Sequence, residues 1–166
     1  MKKVAQFYKV SFEEFKKAFE NMENDTVQAM YDEIKLPKRA TQGSAGYDFF
    51  VPYELVLKPN ETAKIPTGIR AKMQPNWVLK LYPRSGLGFK YRLQLNNTVG
   101  IIDSDYYFSD NEGHIFAKIT NDTNENKTIE LKKYDGFMQG IFIEYGITVD
   151  DDASEVRNGG FGSTSK

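Results

Sequence analysis

The chain has no cysteine, so it can form no disulfide, thiolate nucleophile or cysteine metal site. It has one histidine, His114, and a Ser-His-Asp triad or multi-histidine metal site would have to rest on that ring alone. His114 closes the turn-like stretch Asp110-Asn111-Glu112-Gly113-His114 and reads as a solvated loop histidine. Neither sign of charge dominates: the formal net charge is −1, so no overall basic field recruits nucleic acid. No apolar run approaches the roughly 20 residues of a membrane-spanning helix. The opening MKKVAQFYKVSFEEF turns charged too soon for a secretory signal. These absences predict a cytoplasmic protein without nucleic-acid or membrane partners. Chemistry is left to carboxylates, hydroxyls, cations and backbone, a set that suits phosphate chemistry with a metal ion better than acyl transfer.

What is present is enough for one domain with a real core: 166 residues, 40% apolar and 27% charged. Residues 4–10 alternate loosely and predict a strand. Ser11-Phe12-Glu13-Glu14 has the pattern of a capping box, and Phe12, Phe15 and Phe19 follow at helical spacing. Asp25 is the expected cap of a second short helix with Val27, Met30, Tyr31 and Ile34 on one face, ending before Pro37. Beyond Lys35, short runs of β-branched and aromatic residues alternate with Gly, Pro, Asn and Asp turns, from YDFFVP to MQGIFIEYGITV. That spacing predicts an antiparallel sandwich or barrel. NDTNENK, residues 121–127, is polar enough for an exposed hairpin tip.

Three stretches in this β framework carry polar chemistry, and each also fits an ordinary turn. In Pro83-Arg84-Ser85-Gly86-Leu87-Gly88, glycines allow tight backbone geometry while Arg84 and Ser85 supply donors, as in a phosphate cradle. In Asn96-Asn97-Thr98-Val99-Gly100-Ile101-Ile102-Asp103-Ser104-Asp105-Tyr106, an acid emerges from an apolar strand where it can deprotonate water, and Tyr106 can form a flat floor. Ser44-Ala45-Gly46-Tyr47-Asp48 puts small residues before an acid. The chain finishes on RNGGFGSTSK, glycines and hydroxyls around one aromatic ring. Such a segment cannot bury enough apolar surface to fold alone.

Taken in order, GSAGYD, PRSGLG, NNTVGIIDSDY, the region of Gln139 and RNGGFGST resemble the five motifs of the homotrimeric dUTP diphosphatases (dUTPases), from about Leu36 to Thr164. The resemblance implies a mainly β, jelly-roll-like barrel, here with an N-terminal helical insertion at about residues 11–34. It further implies one domain over 1–154 and a mobile arm over 155–166 that closes on a neighbouring subunit. The implied reaction is dUTP plus water to dUMP plus pyrophosphate with Mg2+, which limits uracil incorporation into DNA and supplies dUMP for thymidylate synthesis. Asp103 matches the general base. Asn97, with backbone near Ile101, Ile102 and Phe116, matches the uracil contacts, and Tyr106 the residue beneath deoxyribose. Arg84, Ser85, Gly86 and Gln139 match phosphate-binding positions. Asp48 matches an acid that reaches the metal only through water, so no direct protein ligand is expected. Phe161 would stack on uracil, with Arg157, Gly162, Ser163 and Thr164 on the phosphates.

The chain departs from the pattern in four places. Gly136 stands where the fourth motif usually carries arginine, three residues before Gln139. The fifth motif is one residue short between Arg157 and Gly159, Tyr107 to Glu112 lengthen the turn after Tyr106, and the helical pair interrupts the run to the first motif. Two other readings stay open. A dCTP deaminase would need a glutamate on the strand HIFAKITN, which has none. A non-catalytic nucleotide-binding module acting through a protein partner would draw on the helical pair and Gly136.

Overall fold

The structure, a computed structural model, describes residues 1–160. Strand β1 (Ala5–Lys9) leads into a short helix α1 (Phe12–Lys16), a 3-10 turn (Lys17–Phe19) and helix α2 (Asn24–Asp32). The strands that follow are β2 (Lys38–Arg39), β3 (Tyr47–Phe50), β4 (Leu55–Leu57), β5 (Thr62–Pro66), β6 (Ile69–Met73) and β7 (Trp77–Pro83). Helix α3 (Ser85–Tyr91) precedes β8 (Leu93–Leu95) and β9 (Gly100–Ile102). A 3-10 turn (Ser104–Phe108) leads to β10 (Phe116–Asn121), β11 (Ile129–Leu131) and β12 (Gly136–Glu144).

The strand pairings are all antiparallel, and the largest sheet runs β2-β3-β12-β7-β9. A second sheet runs β5-β10-β8, and two ribbons pair β1 with β6 and β11 with β4. Burial alternates along β10 as period-2 side chains require, with Ala117, Ile119 and Asn121 turned inward. The inner faces share one core around Phe49, Ile65, Leu79, Leu93, Ile119 and Phe137, giving the mainly β, jelly-roll-like fold expected.

The helical pair has its own small core of Val10, Phe15, Val27 and Met30, and Ile34 touches both cores. Phe15 is fully buried, a burial worth roughly 2–3 kcal/mol for a side chain of this size. Ser11 caps α1 by accepting from the Glu14 amide at 3.2 Å. The reciprocal half of the capping box is absent: the Ser11 amide donates instead to Glu112, 2.7 Å away. Asp25 is not a cap. It lies in the first turn of α2 behind Glu23, where its charge favours the positive helix end.

Two further expectations change. PRSGLG is not a simple turn, because its last four residues open helix α3 with Arg84 at the N-cap. Residues 121–127 are not a hairpin tip, since β10 and β11 pair with different strands. Asn121 is fully buried there and donates to the Leu57 and Lys127 carbonyls, both at 2.8 Å. A buried amide with two such bonds ties β10 to the β4–β11 ribbon.

Candidate active site

Strand β9 carries the third stretch into a cavity of about 310 Å³. Its register against β7, Leu81 opposite Gly100 and Leu79 opposite Ile102, ends just before Asp103. Asp103 sits at the N-cap of the 3-10 turn with extended backbone, and its carboxylate does not cap that turn. The side chain is therefore free to face the cavity. Asn97, Ile101, Ile102, Asp103, Tyr106, Phe116 and Arg157 all line this space. Seven of the residues expected at the site thus meet in one cavity. The wall is completed by Leu95, Val99, Ala117, Met138 and Gly160, which the motifs do not single out.

Tyr106 is buried, and burial pushes its phenol above the ordinary range, so it stays protonated. Its hydroxyl donates to the His114 carbonyl at 2.7 Å and accepts from Asn111 Nδ2 at 2.8 Å. The Asn97 turn is tight: Thr98 has φ +67°, and the Val99 amide donates to the Asn97 carbonyl at 2.7 Å.

The last described residues return to this cavity. Arg157 donates through Nη2 to Asp103 Oδ2 at 2.5 Å and through Nε to Asp105 Oδ1 at 2.8 Å. The Asn158 carbonyl accepts from the Asp110 amide at 3.1 Å. The resemblance implies Arg157 on the phosphates; here it spans two carboxylates of its own chain. Asp105 is a site neighbour the motif reading left unused, and its signal was the acid two residues beyond Asp103. Phe161, Gly162, Ser163 and Thr164 lie outside the described residues.

A second polar group forms where β3, β12 and β7 run side by side. Asp48 is opposite Gln139 in the β3–β12 register. Arg84 Nε lies 3.2 Å from Asp48 Oδ1, and Gln139 Nε2 donates to the Pro83 carbonyl at 3.3 Å. Gly136 has a specific use here. A Cβ on it would stand 2.7 Å from Arg84 Nη1 and 3.1 Å from Arg84 Cδ. The Arg84 side chain therefore fills the space that Gly136 leaves open on β12, where the fourth motif usually has its arginine. Ser85 and Gly86 are exposed beside it. None of Asp48, Arg84, Ser85, Gly86 and Gln139 lines the Asp103 cavity, so the two polar groups stand apart within the chain.

His114 is not a solvated loop residue. It is fully buried, and burial pushes its ring down to about 4, against a smaller upward pull from Glu112. The Gly68 amide donates to Nε2 at 2.9 Å, which places the ring proton of the neutral tautomer on Nδ1. Glu14 Oε1 lies 3.7 Å from Nδ1, too far for a hydrogen bond and not an ion pair while the ring is neutral. The polar flanks Asp-Asn-Glu gave no sign of this, because burial follows from α1 folding over the loop.

Among the described residues, no group of three or more His, Asp or Glu side chains could hold a metal ion, and no helix is long and apolar enough to cross a membrane. The half-buried single carboxylate Asp48 fits a hydrated magnesium held mainly by its substrate, since that ion keeps waters and needs few protein ligands.

Known proteins share this architecture. The dUTPase family model matches residues 32–165, beginning where α2 ends. The deoxyuridine 5'-triphosphate nucleotidohydrolase of Lactococcus lactis subsp. lactis is 44% identical over 134 residues, covering 79% of this chain and 88% of that protein. The protein of the same name from Tolumonas auensis is 38% identical over 141 residues, covering 81% and 90%. The crystal structure of dUTPase from Streptococcus mutans superposes with a TM-score of 0.64 at 34% identity, covering 86% of this chain and 97% of that one. The Staphylococcus bacteriophage 80alpha dUTPase with dUPNHPP matches at TM-score 0.64 over 99% of this chain and 100% of that one, a likeness of fold at 21% identity. With four-fifths of its length inside the family match, this chain belongs to the dUTPase family.

Proposed function

We infer that the protein hydrolyses dUTP to dUMP and pyrophosphate by in-line attack of water on the α-phosphorus. The observation that carries this reading is the Asp103 cavity, where a carboxylate, a tyrosine floor and the Asn97 turn converge. Asp103 takes the proton of the attacking water on a carboxylate oxygen as the new P–O bond forms and the bond to the pyrophosphate oxygen breaks. Asn97 and the backbone of Ile101, Ile102 and Phe116 meet the uracil edge, because an amide side chain presents both donor and acceptor. Tyr106 packs beneath the deoxyribose, where a 2′-hydroxyl would collide with its ring. Arg157 leaves the carboxylates for the phosphates when nucleotide binds, with Phe161, Gly162, Ser163 and Thr164 following it.

Arg84, Ser85, Gly86 and Gln139 serve the phosphates as well, and their distance from the Asp103 cavity supports a shared site. One subunit brings the base and nucleoside contacts and another brings Arg84 and Gln139, which a closed homotrimer provides. Asp48 would hold magnesium through water, and the ion would supply neutralisation of phosphate charge. The test is pyrophosphate release from dUTP, UTP, dTTP and dCTP side by side. Strong preference for dUTP supports the assignment, comparable kcat/KM for dUTP, UTP and dTTP removes it, and binding without turnover favours the nucleotide-binding module.

A further inference from the structure

The lengthened turn after Tyr106 contains a group that no motif assigns. Asn111 is half-buried and makes contacts in two directions. Its Nδ2 donates to the Tyr106 hydroxyl at 2.8 Å, and its Oδ1 accepts from the Gly113 amide at 3.2 Å. Its carbonyl accepts from the His114 amide at 3.0 Å, and the His114 carbonyl is the second partner of the Tyr106 hydroxyl. The hydroxyl is held from both sides by one turn, which leaves the ring little freedom to tilt.

That turn is not relaxed by itself. Glu112 has φ +59°, a left-handed conformation that costs a non-glycine residue roughly 1 kcal/mol. Gly113 follows at φ +71°, and a Cβ there would stand 2.6 Å from the Tyr106 carbonyl oxygen. Such a conformation persists where surrounding contacts over-determine it. Those contacts come from the helical pair and from β6: the Ser11 amide and hydroxyl both donate to the Glu112 carboxylate, at 2.7 and 2.5 Å, and Arg70 of β6 lies 3.8 Å from it.

We propose that Asn111 is a positioning residue for Tyr106, and that the Ser11–Glu112 clamp lets the helical pair set the sugar floor of the site. The argument rests on the reading of Tyr106 as the group beneath deoxyribose. A ring held at a fixed tilt excludes a 2′-hydroxyl, whereas a ring free to tilt accommodates it.

The experiment is a double-mutant cycle on the full-length protein with Asn111→Ala and Tyr106→Phe, reading kcat/KM for dUTP and UTP beside thermal melts. Each single variant should lower the dUTP-over-UTP ratio by about threefold to tenfold, the size of one lost hydrogen bond, mainly through KM. The double variant should be no worse than the poorer single one, because the two groups act through one contact. Additive effects overturn the proposal, as does an Asn111→Ala protein with a lower melting temperature and an unchanged ratio. If Asn111→Ala does not fold, Tyr106→Phe decides: a wild-type ratio overturns the proposal and a lowered ratio supports it. Tyr106→Ala separates the two levels. If it leaves discrimination intact, the reading of Tyr106 falls and the proposal with it. If it abolishes discrimination while Asn111→Ala keeps it, only the role of Asn111 falls.

Discussion

Acid should weaken this protein through His114. Burial holds the folded ring down to about 4, against an ordinary value near 6.5. The sign follows from which state takes the proton. Between these values the unfolded chain binds a proton at His114 and the folded chain does not. The stabilisation is therefore complete above about 6.5 and is lost as pH falls towards 4. From pH 7 to 4.5 the loss from this one ring is about 2 kcal/mol. Geometry gives the same direction, since protonated Nε2 would face the Gly68 amide donor that it now accepts from. Lys64 also disfavours the charged ring, while Glu112 draws it towards charge without offsetting burial. The assay is urea unfolding at pH 7, 5.5 and 4.5 for wild type and His114→Gln at one fixed protein concentration. Carboxylates remote from the ring contribute equally to both proteins, so the difference in slope reports the ring together with its coupling to Glu14 and Glu112. His114→Gln should be less stable at pH 7 and should lose about 2 kcal/mol less on acidification. Parallel loss in the two proteins would refute the account of His114 as a buried neutral ring.

Three other outcomes are expected. Asp103→Asn should lower turnover by on the order of 10²–10⁴ with dUTP affinity nearly intact in calorimetry, as for loss of a positioned base. Gly136→Arg should raise KM for dUTP about threefold to tenfold with little change in melting temperature, because its side chain takes the space Arg84 holds beside Asp48. Gly136→Ala, to which the flexible end of Arg84 can yield, should change KM less. Gly136→Arg is thus expected to impair the enzyme although it installs the residue usual in the fourth motif. Truncation after Val156 should lower kcat on the order of 10²-fold through lost positioning of the phosphates. It should leave the melt almost unchanged, since partly exposed ion pairs such as those of Arg157 contribute about 0–1 kcal/mol.

The parts of the molecule legible in sequence were those fixed by local rules. Strand β1, the Ser11 cap and the phenylalanine stripe follow from alternation, capping chemistry and helical spacing. The Asp103 cavity was legible in part because β9 and the turn after it are contiguous and keep Ile101, Ile102, Asp103 and Tyr106 together, whereas Phe116 and Arg157 reach it from distant parts of the chain. Misreadings fell where a distant element decides the environment. Asn121 looks like a loop residue until β4 supplies a carbonyl across 64 positions. His114 looks solvated until α1 covers it. Asp25 sits one turn position inside the helix it was expected to cap, because helix ends are set by packing as much as by side-chain caps. Asn111 had no signal at all, since its partner is the hydroxyl of a tyrosine already given another role.

The pairing of Arg157 with Asp103 and Asp105 sets a guanidinium as a latch across the two carboxylates of the cavity. On the proposed reading of Asp103 as the base, a nucleotide would have to draw that guanidinium away before the carboxylate could meet water. The observed affinity is then the intrinsic one reduced by the fraction of chains whose latch is open. Added salt loosens the latch, because both carboxylates are about half exposed, and it also weakens the hold on a polyanionic triphosphate. The two responses have opposite effects on KM. If Arg157 takes the phosphates as proposed, these opposed responses would flatten the dependence of KM on ionic strength.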